Sequence, residues 1–193
     1  MNQFKLVVLL SILYSTFTAP VSSLAQENNL LNWSNGKLAW TDYQGNSEES
    51  NENAILSYID FTFKADIQGN GKMLDVEVIA FFNRSASYVG ESIKTADLLQ
   101  REQLHFDITE KYARLFRKEL QSQKWESKTF QKEFSRIYKQ FSNDNKAEQK
   151  NCDRETKKGK DAAKVSEWIT KIEKDLKKLD KYSAPAFTTR LKT

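Results

Sequence analysis

The chain is predicted to adopt an α+β fold, in which a small antiparallel β-sheet from a hairpin-rich N-terminal half packs against about three α-helices. Three observations predict it. Between residues 59 and 82 apolar side chains recur every second position, the period of a half-buried strand. From Thr95 onward they recur at helical spacing instead. Strands come first and helices after, which favours helices laid on one face of an antiparallel sheet.

Taken in chain order, the first segment is Met1-Asn2-Gln3-Phe4-Lys5, then an almost wholly apolar run from Leu6 to Phe17, then Ser22-Ser23-Leu24-Ala25. A basic start, a short apolar stretch and a small-x-small cut site make a secretory signal peptide, with cleavage near Ala25. The run is too short to span a bilayer comfortably. The expected protein is secreted or periplasmic, with no membrane span after cleavage. Residues 26–32 are expected to be a leader, 33–182 a single domain and 183–193 a C-terminal tail.

Within the domain, Trp33 to Trp40 predicts two short extended pieces about the Asn35-Gly36 turn, and residues 44–53 a polar loop. Ile59, Phe61, Phe63 and Ala65 define one strand; Leu74, Val76, Val78, Ala80 and Phe82 define the next. Gly69-Asn70-Gly71 joins them as a hairpin. Leu98, His105, Thr109, Tyr112, Phe116 and Leu120 mark a helix from Thr95 to about Gln121. A second helix is marked by Phe130, Phe134, Ile137, Tyr138 and Phe141, with Ser127 as N-cap. A third is marked by Val165, Trp168, Ile169, Ile172, Leu176 and Leu179. Residues 142–160 are polar and are expected to be irregular. The aromatic stripe of the second helix, and Trp33 and Trp40, are expected to be packing residues rather than partner- or sugar-binding faces.

Charge narrows the function. Lys and Arg number 30 against 26 Asp and Glu, a net charge of +4. The lysines of the last third are interspersed with Glu155, Asp161, Glu167, Glu173, Asp175 and Asp180, a solvated helix face rather than a phosphate track, so no nucleic-acid partner is expected. The single cysteine, Cys152, has no internal disulfide partner.

The stretch Arg101-Glu102-Gln103-Leu104-His105-Phe106-Asp107-Ile108 carries the chemistry. With His in place of Arg101 it would be His-Glu-x-x-His, in which residues i and i+4 share a helix face and grip one zinc ion. The Glu then takes a proton from metal-bound water. This stretch, with Glu110 and Tyr112-Ala113-Arg114, resembles the bacterial domain of unknown function 922 family, described as predicted secreted zinc-dependent proteases. The likeness extends to Trp40-Thr41-Asp42-Tyr43-Gln44-Gly45, to Ser85-Ala86-Ser87-Tyr88-Val89, and to Asp153-Arg154-Glu155-Thr156-Lys157-Lys158-Gly159 followed by Trp168. The resemblance implies a zincin-like active-site helix, with Glu102 as general base and His105 as a metal ligand. It also implies former ligand positions at Arg101 and Lys158, with Asp107, Cys152, Asp153, Thr156 and Gly159 as neighbouring motif residues.

The departures decide the expected function. Arg101 has no lone pair to give, Lys158 stands where the resemblance implies a third ligand, and His105 is the single histidine. A catalytic zinc takes three protein ligands. The expected protein is therefore a pseudo-peptidase with no cofactor, acting as a binding or envelope protein for an unknown peptide or protein partner. The alternative is an active metallopeptidase with non-standard ligands, for instance zinc on His105, Cys152 and Asp153. A Cys152–His105 nucleophile pair, as in thiol hydrolases, is a separate and weaker alternative. Arg101 and Lys158 are either surface side chains pointing to water or, if the fold brings them together, fill the space of the cation and satisfy Glu102 and Asp153. Without zinc, Glu102 is expected to be a salt-bridge partner of Arg101 or Lys158 or a solvated helix residue, and His105 a partly buried histidine hydrogen-bonded on the core side.

Overall fold

A computed structural model describes residues 29–45, 52–69 and 71–192. The signal peptide expected at 1–25 and most of the loop expected at 44–53 lie outside the described residues. The strands are β1 (Leu30–Asn32), β2 (Ile55–Leu56), β3 (Ile59–Ile67), β4 (Met73–Asn83), β5 (Tyr88–Val89), β6 (Trp125–Glu126) and β7 (Ala186–Lys192). The helices are α1 (Ala96–Gln121), α2 (Phe130–Glu155) and α3 (Ala162–Lys178). The α+β class expected from the sequence is the observed one.

β4 is the axis of the main sheet. β3 pairs antiparallel along one side of it, from Ile59 opposite Phe82 to Ile67 opposite Leu74. β7 covers Met73–Glu77 on its other side, and β1 covers Phe81–Asn83 on that same side. β6 adds a short parallel pairing to β7, while β2 and β5 form a separate two-stranded ladder. Leu74, Val76, Val78, Ala80 and Phe82 of β4 are buried, and Asp75 and Glu77 face solvent. This alternation follows from the pleat.

α1 lies across the buried face of the sheet. Thr95 caps it, its hydroxyl accepting from the Leu98 amide at 3.2 Å. Phe106, Ala113, Phe116 and Leu120 pack on the sheet, while Leu104 and Ile108 on the other side join Cys152, Trp168, Ile172 and Leu176 of α2 and α3. A helix covered on both sides must also bury polar residues. Glu102, His105, Glu110, Arg114 and Arg117 are all under a tenth exposed. No helix among the described residues is long and apolar enough to cross a membrane.

Several local expectations give way to tertiary contacts. Trp33–Asn35 and Trp40–Asp42 form 3-10 turns, not extended pieces. Asp42 explains the second turn: its carboxylate accepts from the Ala39 amide and from Arg84 Nε, both at 2.9 Å. Ser127 does not cap α2, because its amide donates to Lys192 O and extends the β6–β7 edge; Thr129 precedes the helix instead. α2 continues through the polar stretch expected to be irregular. Ser142, Asn145 and Cys152 supply its buried face there. Residues 30–32 and 186–192, expected to be leader and tail, are sheet strands.

Candidate functional site

The site forms where α1 passes the C-terminal end of α2. Arg101 and His105, one turn apart on α1, share a helix face and reach the same residue of α2. The Arg101 guanidinium donates to Asp153 twice, Nε to Oδ1 at 2.9 Å and Nη2 to Oδ2 at 2.6 Å. Its Nη1 donates to Glu102 Oε1 at 2.5 Å. His105 Nε2 lies 3.0 Å from Asp153 Oδ1. One guanidinium thus joins two carboxylates, the fork geometry that arginine supports and lysine does not.

The electrostatics follow from the contacts. Burial pushes the Asp153 carboxyl up, but the hydrogen bonds from His105 and Arg101 and their charges hold it well below the usual carboxylate range. Burial works against the charge of Arg101, yet Asp153 and Glu102 outweigh it and strengthen its hold on the proton. The Tyr43 hydroxyl, hydrogen-bonded to Ser57 at 2.8 Å, is raised above its ordinary value by burial and then by the charge of Glu102. Sequence reasoning did not single out Tyr43 as a site residue. Its place in the Trp40–Gly45 motif was the signal that could have done so.

Lys158 does not share the position taken by Arg101. It is exposed, and among the described residues no ion pair joins it to Glu102 or Asp153. Of the two alternatives, Arg101 follows the second and Lys158 the first: one cation satisfies both carboxylates, and the other faces water. The reason lies in the turn after α2. Lys157, Lys158 and Gly159 all have positive φ, at 51°, 58° and 84°, which reverses the chain sharply. Thr156 holds this turn, donating to Cys152 O at 2.8 Å and accepting from the Gly159 amide at 3.2 Å. The turn closes over the stem of Arg101: a Cβ at Gly159 would lie 3.1 Å from Arg101 Cδ. At this turn it is Gly159, not the Lys158 side chain, that lies against the Arg101 stem.

Cys152 packs into the apolar cluster beside the site and makes no hydrogen bond to Arg101, Glu102 or His105 among the described residues. It is 1 % exposed, packed with Leu104, Ile108 and Trp168, and burial followed by the charge of Asp153 pushes its thiol up to about 12. A protonated thiol in an apolar cluster is neither nucleophile nor metal ligand. The Cys152–His105 pair and the zinc set of His105, Cys152 and Asp153 are therefore not assembled. Among the described residues no three of His, Cys, Asp and Glu form a group that could hold a metal ion. The donor set does not fit a catalytic zinc, because Asp153 and Glu102 are committed to a guanidinium fixed in the chain.

The remaining motif residues anchor the fold around this cluster. Asp107 accepts from Trp33 Nε1 at 2.7 Å and from Gln103 Nε2 at 2.8 Å, and Gln103 Oε1 accepts from the Leu38 amide at 2.8 Å. One turn of α1 thereby holds the 33–38 segment. Glu110 accepts from Arg114 Nε and Arg117 Nη1, each at 2.9 Å. Arg117 also donates to Val78 O, Nε at 3.1 Å and Nη2 at 2.7 Å. That carbonyl lies in the stretch of β4 edge between β1 and β7, so the guanidinium stands in for a missing strand. Trp168 Nε1 donates to Glu155 Oε2 at 2.9 Å.

Against models of protein families, residues 92–159 match the one described as a bacterial protein of unknown function (DUF922). That segment holds α1, α2 and the turn ending at Gly159. No curated protein and no solved structure matches the chain.

Proposed function

On the premise that residues 92–159 belong to the bacterial family of domain of unknown function 922, we propose that this chain is an exported pseudo-peptidase. It keeps the helix of a metallopeptidase-like site, does no metal-assisted hydrolysis, and works as a binding or envelope protein. The observation that carries this reading is the Arg101 guanidinium seated between Glu102 and Asp153. A fixed cation in contact with both carboxylates neutralises the charge that a metal ion would otherwise balance. The Glu102 carboxylate, held by Arg101, does not activate a water.

Elemental analysis of the purified protein, unaltered and carrying Arg101→His together with Lys158→His, tests the proposal. The unaltered protein is expected to carry no stoichiometric zinc and to cleave no casein-type substrate. The double variant frees Asp153 and Glu102 and sets one imidazole a helix turn from His105, while the second replaces the exposed Lys158 on the turn that closes over residue 101. It is expected to bind zinc at least about tenfold more tightly than the unaltered protein. Stoichiometric zinc in the unaltered protein would falsify the reading.

A further inference from the structure

The nine-residue strand β3 pairs with β4 on one side only. Tyr58 O and Gln68 N bond across to Asn83 and Met73. Even-numbered residues of β3 therefore turn their backbone groups toward β4, and odd-numbered ones toward the open edge. Phe61 is closed there on both counts. Its amide donates to Asp60 Oδ1 at 2.9 Å, and its carbonyl accepts from the Tyr138 hydroxyl at 3.0 Å. Among the described residues nothing caps the amides and carbonyls of Phe63, Ala65 and Ile67. An uncapped run of this kind is a template for another strand.

The run is complementary to itself. We propose that β3 pairs with β3 of a second copy of this chain, antiparallel and centred on Ala65, across a two-fold axis. In that register Ala65 faces Ala65, and Phe63 faces Ile67 in both directions, all hydrogen-bonded pairs of edge-facing residues. On the solvent face, Lys64 of each copy lies opposite Asp66 of the other. The pairing resolves two features of the isolated chain. Ile67 is 48 % exposed and gains Phe63 as its cover. Asp66 stands opposite Asp75 within its own sheet, a like-charge pair that destabilises, and it gains a lysine. That lysine has a loose partner at home, with Lys64 Nζ 3.9 Å from Glu77.

Neighbouring registers are penalised. Centring on Phe63 sets Asp66 against Asp60 and drives Ala65 into the capped Phe61. Centring on Ile67 leaves Lys64 and Asp66 without opposite charges and runs onto the turn at Gly69. The interface is independent of the Arg101 cluster, which lies on α1 and α2.

Sedimentation equilibrium tests the pairing on the purified protein and on Lys64→Asp and Asp66→Lys variants. Residues 64 and 66 are exposed, so the variants fold, as circular dichroism will check. The unaltered protein is expected to form a dimer over roughly 1–500 µM, within the range of small polar interfaces. Each variant alone sets like charges opposite each other twice and raises the dissociation constant at least about tenfold. An equal mixture of the two variants sets Asp against Lys at both positions and is expected to restore the dimer as a heterodimer. A monomer throughout that range, single variants that associate as well as the unaltered protein, or a mixture that stays monomeric overturns the proposal.

Discussion

At the residue scale, two aspartates of neighbouring motifs respond to pH in opposite senses. Asp153 is held below the ordinary carboxylate value of about 3.9 because His105 and Arg101 outweigh its burial. The unfolded chain binds the proton more readily. The contribution of Asp153 is therefore complete above that value and is lost as pH falls through it toward the folded one. Asp107 is shifted upward because burial outweighs the hydrogen bonds from Trp33 and Gln103. Its contribution is present below the ordinary value and is lost as pH rises through the raised folded one. Asp153→Asn is expected to cost about 2 kcal/mol at pH 7, as a charged hydrogen-bond partner is removed, and to flatten the acid limb. Asp107→Asn keeps the acceptor and removes the charge, so it is expected to raise stability at pH 7. Urea unfolding of both variants between about pH 3 and pH 7 checks the signs; a loss of stability in both at pH 7 contradicts the assignment.

At the element scale, α1 is a ligand of the sheet as much as a helix packed on it. Arg117 spans Glu110, Val78 O and Tyr182 O at 2.9, 2.7 and 3.1 Å. It is 2 % exposed. Arg117→Met leaves a buried carboxylate short of a partner and a β4 carbonyl unbonded. It is expected to destabilise by about 3 kcal/mol or more. Arg117→Lys recovers little of this, since one ammonium does not reach three acceptors in different directions. The exposed Arg136 on α2 is the control, with Arg136→Met expected to stay within about 0.5 kcal/mol. Urea midpoints compared across the three variants test the order. The sequence marks Glu110 and Arg114 as parts of a motif but does not show these bonds, and Arg117 looks like part of an ordinary charged helix face. Periodicity identifies which residues share a face, not whether a second layer covers it.

At the scale of the whole molecule, the two ends of the described chain close the sheet. β1 and β7 lie end to end on one side of β4, and Arg117 fills the interval between them. β7 buries Thr189 and Leu191. A chain ending at Ser183 exposes the buried side of β4 and is expected to lose cooperative unfolding and near-ultraviolet circular dichroism; if it folds as the longer chain does, 183–193 is a tail after all. β7 escaped sequence analysis for a physical reason. Its partner is more than a hundred residues away in β4, and a seven-residue strand whose inward face is Phe187, Thr189 and Leu191, one of them polar, carries a weak period-two signal. β3 and β4 were legible because each alternates cleanly and a glycine turn joins them.

The sequence by itself determined what depends on near neighbours in the chain: the α+β class, the β3–β4 hairpin, the span of α1, and the shortage of imidazole at the motif. These are properties of residues two to four positions apart, where backbone geometry alone sets which side chains share a face. Tertiary structure alone decided which cation meets Asp153, 52 residues from Arg101, that Lys158 faces solvent, and that Cys152 turns into the apolar cluster. Those outcomes depend on how α2 and its left-handed turn fall against α1, and no local spacing encodes that convergence.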